Sequence, residues 1–182
     1  LEDESLVVSI DAMDVDGDEL IFWTSDVGNA EIDLYENQLT ITPDLHWNGE
    51  LDFLLSVTDG EYIDSQILTI DVTPVNDSPV ISTITNQVIN EDSPFLYNLE
   101  AIDVDGDDLS FSVDEISNAT FTLVNNSINV LPDQDFNGEI EISISVSDGE
   151  LSDTTMFNLD VLPVNDPPIL EDIADQEIDE NQ

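Results

Sequence analysis

The stretch EIEISISV, residues 139–146, alternates without a break: Ile140, Ile142, Ile144 and Val146 fall on one side, Glu139, Glu141, Ser143 and Ser145 on the other. Successive side chains of a β-strand point to opposite faces, so this is a half-buried strand with its apolar side inward. Asn137-Gly138 before it and Asp148-Gly149 after it are turn signals. The stretch NGELDF at 48–53 matches NGEIEI at 137–142, and TDGE at 58–61 matches SDGE at 147–150.

That match belongs to a repeat. DVDGDEL at 14–20 returns as DVDGDDL at 103–109, an offset of 103 − 14 = 89 residues. At the same offset, VTPVNDSP (72–79) lies over VLPVNDPP (161–168), with no gap anywhere. In the complete copy the pattern predicts strand A near Ile84–Ile89, B at Phe95–Ala101 and C at Leu109–Val113. D follows at Thr120–Val124, E at Ile128–Leu131, F at Glu139–Val146 and G at Thr154–Leu162. No segment keeps a helical period over a useful length. The expected fold is therefore all-β: tandem seven-stranded Greek-key β-sandwiches, arranged end to end. Residues 1–77 read as a copy lacking its first strand, 78–166 as a complete copy, and 167–182 as the first strand of a third. Leu1 is not an initiator methionine, so the chain reads as a segment of something longer.

The 182 residues hold 44 Asp plus Glu, no Lys or Arg, and a formal net charge of −44. Hydrophobic residues make up 40%, enough for a core, so charge-driven disorder is not expected. The chain cannot neutralise its own carboxylates, which calls for bound cations or a saline medium. Nucleic acid is excluded as a partner because no basic side chain exists to meet a phosphate. There is no Cys, hence no disulfide or thiolate chemistry. No apolar run is long enough to insert into a membrane in this segment.

Alternating strands deliver the acids to opposite ends of each sandwich. One end of the complete copy collects Asp103, Asp105 and Asp148; the other collects Glu91, Asp133, Asp135, Asn165 and Asp166. The matching end of the first copy offers Glu2, Asp44, Asn76 and Asp77. Stacked end to end, the two copies bring six carboxylates into one junction, where each pair repels by about 1 kcal/mol at 4 Å in water. Ca2+ accepts six to eight carboxylate, amide and carbonyl oxygens and suits such a cluster; Mg2+ demands a stricter octahedron and Zn2+ lacks Cys and His ligands. Gly106 permits the tight turn that folds Asp103 and Asp105 around one centre. It is not an EF-hand, since glycine comes fourth in the loop instead of sixth.

At these residues the chain resembles the cadherin-like repeats of large bacterial surface proteins, which are similar to the animal cadherin domain. PVNDSP and PVNDPP look like the cadherin linker; DVDGD matches its Asp-x-Asp, and VTDGE and VSDGE its Asp-x-Gly. INEDSP and IDENQ look like its early glutamate motif. The resemblance implies calcium ligands Glu2, Asn76, Asp77, Asp103, Asp105 and Asp148 at the complete junction. It implies Asp14, Asp16 and Asp59, and Glu91, Asn165 and Asp166, at the incomplete ones. The family's Asp-Arg-Glu segment has no direct counterpart; Asp44 and Asp133 fall in its place, with His46 and Asp135 beside them. No tryptophan matches the one that vertebrate cadherins exchange, so homophilic adhesion does not transfer.

The functional expectation is a calcium-rigidified stalk or adhesion repeat on a bacterial cell surface or in a secreted protein. Its partners would be neighbouring repeats, with other copies or surface glycans beyond them. An enzyme is not expected: the single histidine, His46, has no partner nucleophile in its repeat, and the acids lie on turns without a cleft. His46 reads as an exposed rim residue, Trp47 as a core aromatic, and Asp18, Asp107 and Asp108 as turn residues. Two alternatives keep the fold: a glycan- or ligand-binding module, with Trp23 as a stacking surface, and a subunit that donates a strand to build extracellular filaments.

Overall fold

A computed structural model of the chain describes residues 1–175 and 177. It divides into two compact units. Unit 1 comprises Leu1–Pro79 with Ile102–Asp108 and Asp148–Leu151; unit 2 comprises Val80–Ala101, Leu109–Ser147 and the remainder from Ser152.

Unit 1 carries β1 (Leu6–Ser9), β2 (Ile21–Thr24), β3 (Ala30–Tyr35), β4 (Gln38–Pro43), β5 (Gly49–Thr58) and β6 (Ile63–Val72). They form two antiparallel sheets of order β1-β4-β3 and β2-β5-β6. Leu39 and Ile41 from the first sheet share one buried cluster with Leu51, Phe53 and Val72 from the second, so the sheets face each other. Trp47 packs against this cluster. The aromatic lies over Gly49, whose φ is +138° and where a Cβ would come within 3.1 Å of the indole. Only glycine suits that close approach.

Unit 2 carries β7 (Val80–Ile81), β8 (Gln87–Asn90), β9 (Phe95–Asn98), β10 (Ala101–Ile102), β11 (Ser110–Val113), β12 (Ala119–Val124), β13 (Ser127–Pro132), β14 (Gly138–Ser147) and β15 (Ser152–Leu162). Its sheets have orders β12-β13-β9 and β11-β14-β15-β8, with β10 paired to β7. The alternation in β14 holds: Ile140, Ile142, Ile144 and Val146 are all buried, and Glu139 and Glu141 are exposed. In register, Ile140 faces Leu159 and Ile142 faces Phe157 across to β15. These side chains join Phe95, Ile128 and Val130 of the other sheet in one core.

Strand A differs from its expected form. It is two pieces: β7 pairs with β10, while β8 runs parallel to β15, Gln87 opposite Leu159 and Asn90 opposite Leu162. The residues between cross from one sheet to the other and so cannot stay in a ladder. Ile84, in the crossing, is only 4% exposed, and the side chain of Asn86 accepts the Asn158 amide at 3.1 Å. Strand B is likewise interrupted, at Leu99-Glu100, where the Leu99 amide bonds Asn126 O. Residues 167–175, expected to begin a third copy, are in no strand, and most of the remainder lies outside the described residues.

Candidate metal centre

Unit 1 gathers its acids from five chain segments: Glu2-Asp3 ahead of β1, the turn after β4, the segment after β6, and the loops 102–108 and 148–151. Glu2 is 2% exposed, and its carboxylate is fixed by the Val75 amide on Oε1 and by Asn48 Nδ2 at 3.4 Å on Oε2. Its own amide bonds Thr73 O at 3.0 Å, tying the segment to the end of β6.

In the DVDGD loop, Asp103 Oδ1 accepts the amides of Asp105, Gly106 and Asp107 at 2.9, 3.0 and 3.3 Å. This closed turn needs the positive φ of Gly106, +81°. The other oxygen, Asp103 Oδ2, is buried with no hydrogen-bond partner among the described residues. A buried carboxylate oxygen without a donor is costly, and few are left that way. Asp105 Oδ2 accepts the Asp77 amide at 2.8 Å. Asp148 Oδ1 accepts the amides of Glu150 and Leu151, both at 2.7 Å, and Oδ2 accepts Asn76 Nδ2 at 3.0 Å. The Leu151 amide above all, then Asn76 and the Glu150 amide, hold the Asp148 carboxyl below the ordinary carboxylate range.

Carboxylate oxygens of Glu2, Asp77 and Asp105 lie within 4.8 Å of one another, as do those of Asp103, Asp105 and Asp107. Glu2, Asn76, Asp77, Asp103, Asp105 and Asp148 are thus brought together. Asp107, read from sequence as a plain turn residue, joins them; desolvation first, then the charges of Asp103, Asp105, Asp148 and Glu150, push its carboxyl up. Asp44 stands apart. It enters no such cluster among the described residues, and its backbone shapes the turn, with its amide on Asn29 O and its carbonyl accepting the Trp47 amide.

Beside this centre, His46 Nδ1 sits 2.7 Å from Asp77 Oδ2 and 3.6 Å from Asp3 Oδ2, and Asp3 Oδ1 accepts the His46 amide at 2.8 Å. Sequence reading passed over Asp3; it placed His46 on an exposed rim, and the residue is exposed. The signal was the offset of 89 residues, because Asp92 and Asp135 stand at the equivalent positions. Both pairs adopt left-handed backbone, φ 60° and 56° for Asp3 and His46, 59° and 58° for Asp92 and Asp135.

In unit 2, Asp92, Asp135 and Asp166 form a further cluster of carboxylates. Glu91 is 5% exposed and its Oε1 accepts the Val164 amide, as Glu2 takes that of Val75. Asn165 Nδ2 bonds Asp166 O at 3.2 Å. Desolvation, then Asp135, Glu91 and Asp92, raise the Asp166 carboxyl. Asp133 follows Asp44: its amide bonds Asn118 O and its carbonyl accepts the Phe136 amide. In the first DVDGD loop, Asp14 Oδ1 accepts the amides of Asp16, Gly17 and Asp18, and Asp59 Oδ1 those of Glu61 and Tyr62. Asp14 and Asp59 line one cavity of about 350 Å³. With Asp16 they form no cluster of three carboxylates among the described residues.

Two facing three- and four-stranded sheets with a split first strand define the class, and the comparisons agree. Residues 76–160 match the family model for the bacterial Ig domain. The human protocadherin-24 EC1-2 structure superposes with a TM-score of 0.52 at 14% identity, over 88% of this chain and 88% of that one. The fold is an immunoglobulin- and cadherin-like β-sandwich. At lower similarity stand the endo-fucoidan hydrolase MfFcnA4 of glycoside hydrolase family 107 and the tandem Ig repeats of Dlar. The hydrolase gives a TM-score of 0.39 at 19% identity, over 91% of this chain but only 27% of its own length. The Dlar repeats give 0.38 at 11% identity, over 88% of this chain and 90% of theirs. No curated protein sequence matches the chain. The centre described above is built on the loops at the end of such a sandwich. Among the described residues no helix is long and apolar enough to cross a membrane.

Proposed function

We propose that this chain is a calcium-binding, adhesion-type repeat segment of a large extracellular protein, stiffened by the ions it holds. One observation carries the reading: the buried Asp103 Oδ2, without a hydrogen-bond partner among the described residues, set in a loop whose neighbour Asp105 shares a cluster with Glu2 and Asp77. The donors are carboxylates and an amide, which suit a hard cation with many oxygen ligands. Glu2, Asn76, Asp77, Asp103, Asp105 and Asp148 would hold it, and the ion would supply the positive charge that a chain without Lys or Arg lacks. Neutralising these acids removes the repulsion that otherwise drives the loops 102–108 and 148–151 off the end of β6. The same ions would make the chain a stiff stalk on a bacterial surface, in keeping with the bacterial Ig domain match and the cadherin-like fold.

Isothermal titration with Ca2+ tests the binding, against the Asp103→Asn variant. Saturable uptake by the wild type, with affinity lowered about tenfold or more in the variant, is the expected result. Equal affinity in the two proteins overturns the assignment. Small-angle scattering tests the stiffening: the maximum dimension narrows in distribution with Ca2+ and broadens with chelator, and identical profiles would sink the stalk.

A further inference from the structure

The outward face of the sheet β2-β5-β6 in unit 1 departs from its counterpart in unit 2. Along β5 the side chains of Leu51, Phe53 and Leu55 are buried, so those of Asp52 and Leu54 point away from the core. Register sets Leu54 opposite Ile67, Trp23 opposite Ser56, and Ile21 and Ile63 on either side of Thr58. The five large apolar side chains of this face are exposed, from 39% for Trp23 to 71% for Ile67. At the offset of 89 residues, the places of Ile21, Trp23, Leu54 and Ile63 hold Ser110, Ser112, Ser143 and Ser152, and that of Ile67 holds Met156. Exposure belongs to the face itself: in unit 2, where β8 is seated on β15, Met156 is still 55% exposed. The hydroxyls between the apolar groups are engaged within the sheet. Ser65 Oγ donates to Ser56 Oγ at 2.9 Å, and Thr58 Oγ1 donates to Tyr62 O at 2.6 Å and accepts the Gly60 amide at 2.9 Å. Further along the strands the face turns acidic, with Asp52 and then Glu50 opposite Asp71. A lone exposed apolar residue is ordinary, whereas a contiguous group on one sheet face marks an interaction site.

We infer that this face binds a partner protein whose apolar strip continues into Lys or Arg side chains. Charge decides the occupant. A second copy would set Glu50, Asp52 and Asp71 against acids of its own, and the chain has no Lys or Arg to place between them. A saccharide would meet a single aromatic ring, Trp23, among hydroxyls already engaged in the sheet. A basic apolar surface gains from both halves: burying the five apolar side chains supplies affinity, and the opposed charges fix its register along the strands. This face shares no residue with the metal centre, so its occupancy and that of the centre are tested separately.

The test titrates the full chain with a short synthetic peptide carrying leucine and valine in one half and lysine in the other, and follows amide shifts by NMR. Saturable binding is expected, with the shifts centred on Ile21–Thr24, Asp52–Thr58 and Ile63–Asp71. A variant bearing the unit 2 residues, Trp23→Ser with Leu54→Ser and Ile63→Ser, should bind about tenfold more weakly or worse. A second variant, Glu50→Gln with Asp52→Asn and Asp71→Asn, keeps the apolar half. It should bind about threefold more weakly or worse at low salt, and as well as the wild type in high salt. Equal binding by the wild type and the serine variant means charge attraction alone and overturns the assignment, as does failure of the peptide to bind. Equal binding of a peptide with glutamate in place of lysine overturns the basic character of the partner. Self-association of the wild type that the serine substitutions abolish, or tighter binding of a neutral glucan oligosaccharide with shifts at Trp23, overturns the protein partner in favour of a second copy or a saccharide.

Discussion

Asp103 and Asp148 each commit one oxygen to backbone amides and aim the other elsewhere: Asp148 finds Asn76, whereas Asp103 finds no donor among the described residues. The carboxylates of Asp148, Asp59 and Asp107 give the metal-free protein two opposed pH responses. Asp148 and Asp59, whose pKa values are lowered by amides of Leu151 and Tyr62 foremost, stabilise the fold above their unfolded value near pH 4. That contribution is lost as pH falls through the native pKa. Asp107, raised by desolvation and by its acidic neighbours, works the other way: its contribution is full below about pH 4 and is lost as pH rises through the native value. Without metal, Asp107→Asn is therefore expected to raise the melting temperature at neutral pH, and Asp148→Asn to lower it. The Asp107 difference should vanish in scans below about pH 4, and the Asp148 difference only as pH falls further, through its lowered native pKa. A separate residue carries backbone strain. Glu36 turns β3 into β4 with φ +54°, and its equivalent in unit 2 is Asn125 at +55°. Asn tolerates left-handed backbone better, so Glu36→Asn should stabilise by about 0.5–1 kcal/mol in urea unfolding.

At the level of elements, each sandwich depends on one long hairpin, β5–β6 or β14–β15, entered through an aromatic-x-glycine turn. Gly138 has φ +140°, and a Cβ there would lie 3.3 Å from the Phe136 ring. Gly138→Ala combines backbone strain with a tight contact and should cost about 1–3 kcal/mol. Ile142→Ala, at a position with no exposure in mid-strand, leaves a cavity and should cost about 2–5 kcal/mol. Chemical denaturation of the two variants checks both values. The hairpins were legible in sequence because strand alternation and Asn-Gly turns are local signals. The split of strand A was not. Its residues from Ile81 to Ile89 carry apolar side chains at irregular intervals, and only the two sheets they bridge decide where pairing stops.

For the whole molecule, charge and core size set the order of unfolding. Unit 1 buries Leu39, Ile41, Leu51, Phe53 and Val72 in its main cluster, against a much larger set in unit 2 that includes Ile81, Ile84 and Phe95. Both tryptophans, Trp23 and Trp47, belong to unit 1, so indole fluorescence reports that unit alone. In low salt without Ca2+ the fluorescence transition is expected at a lower temperature than the main loss of β-sheet circular dichroism. Coincident transitions would refute the difference between the cores. With a net charge of −44, both transitions should move upward as sodium chloride is added, because screening weakens self-repulsion.

The sequence by itself determined the β-sandwich class, the offset of 89 residues, and the acid-bearing turns, because period-two alternation, turn chemistry and repetition are written along the chain. It also singled out Glu2, Asp77, Asp103 and Asp105, since each sits at a strand end. Tertiary structure alone decided that Asp107 joins them while Asp44 stays on its turn, that His46 leans on Asp77, and that Asp103 keeps a buried oxygen without a donor among the described residues. Those outcomes depend on which loops meet in space and how far each carboxylate is shielded from water, and neither quantity follows from residue order.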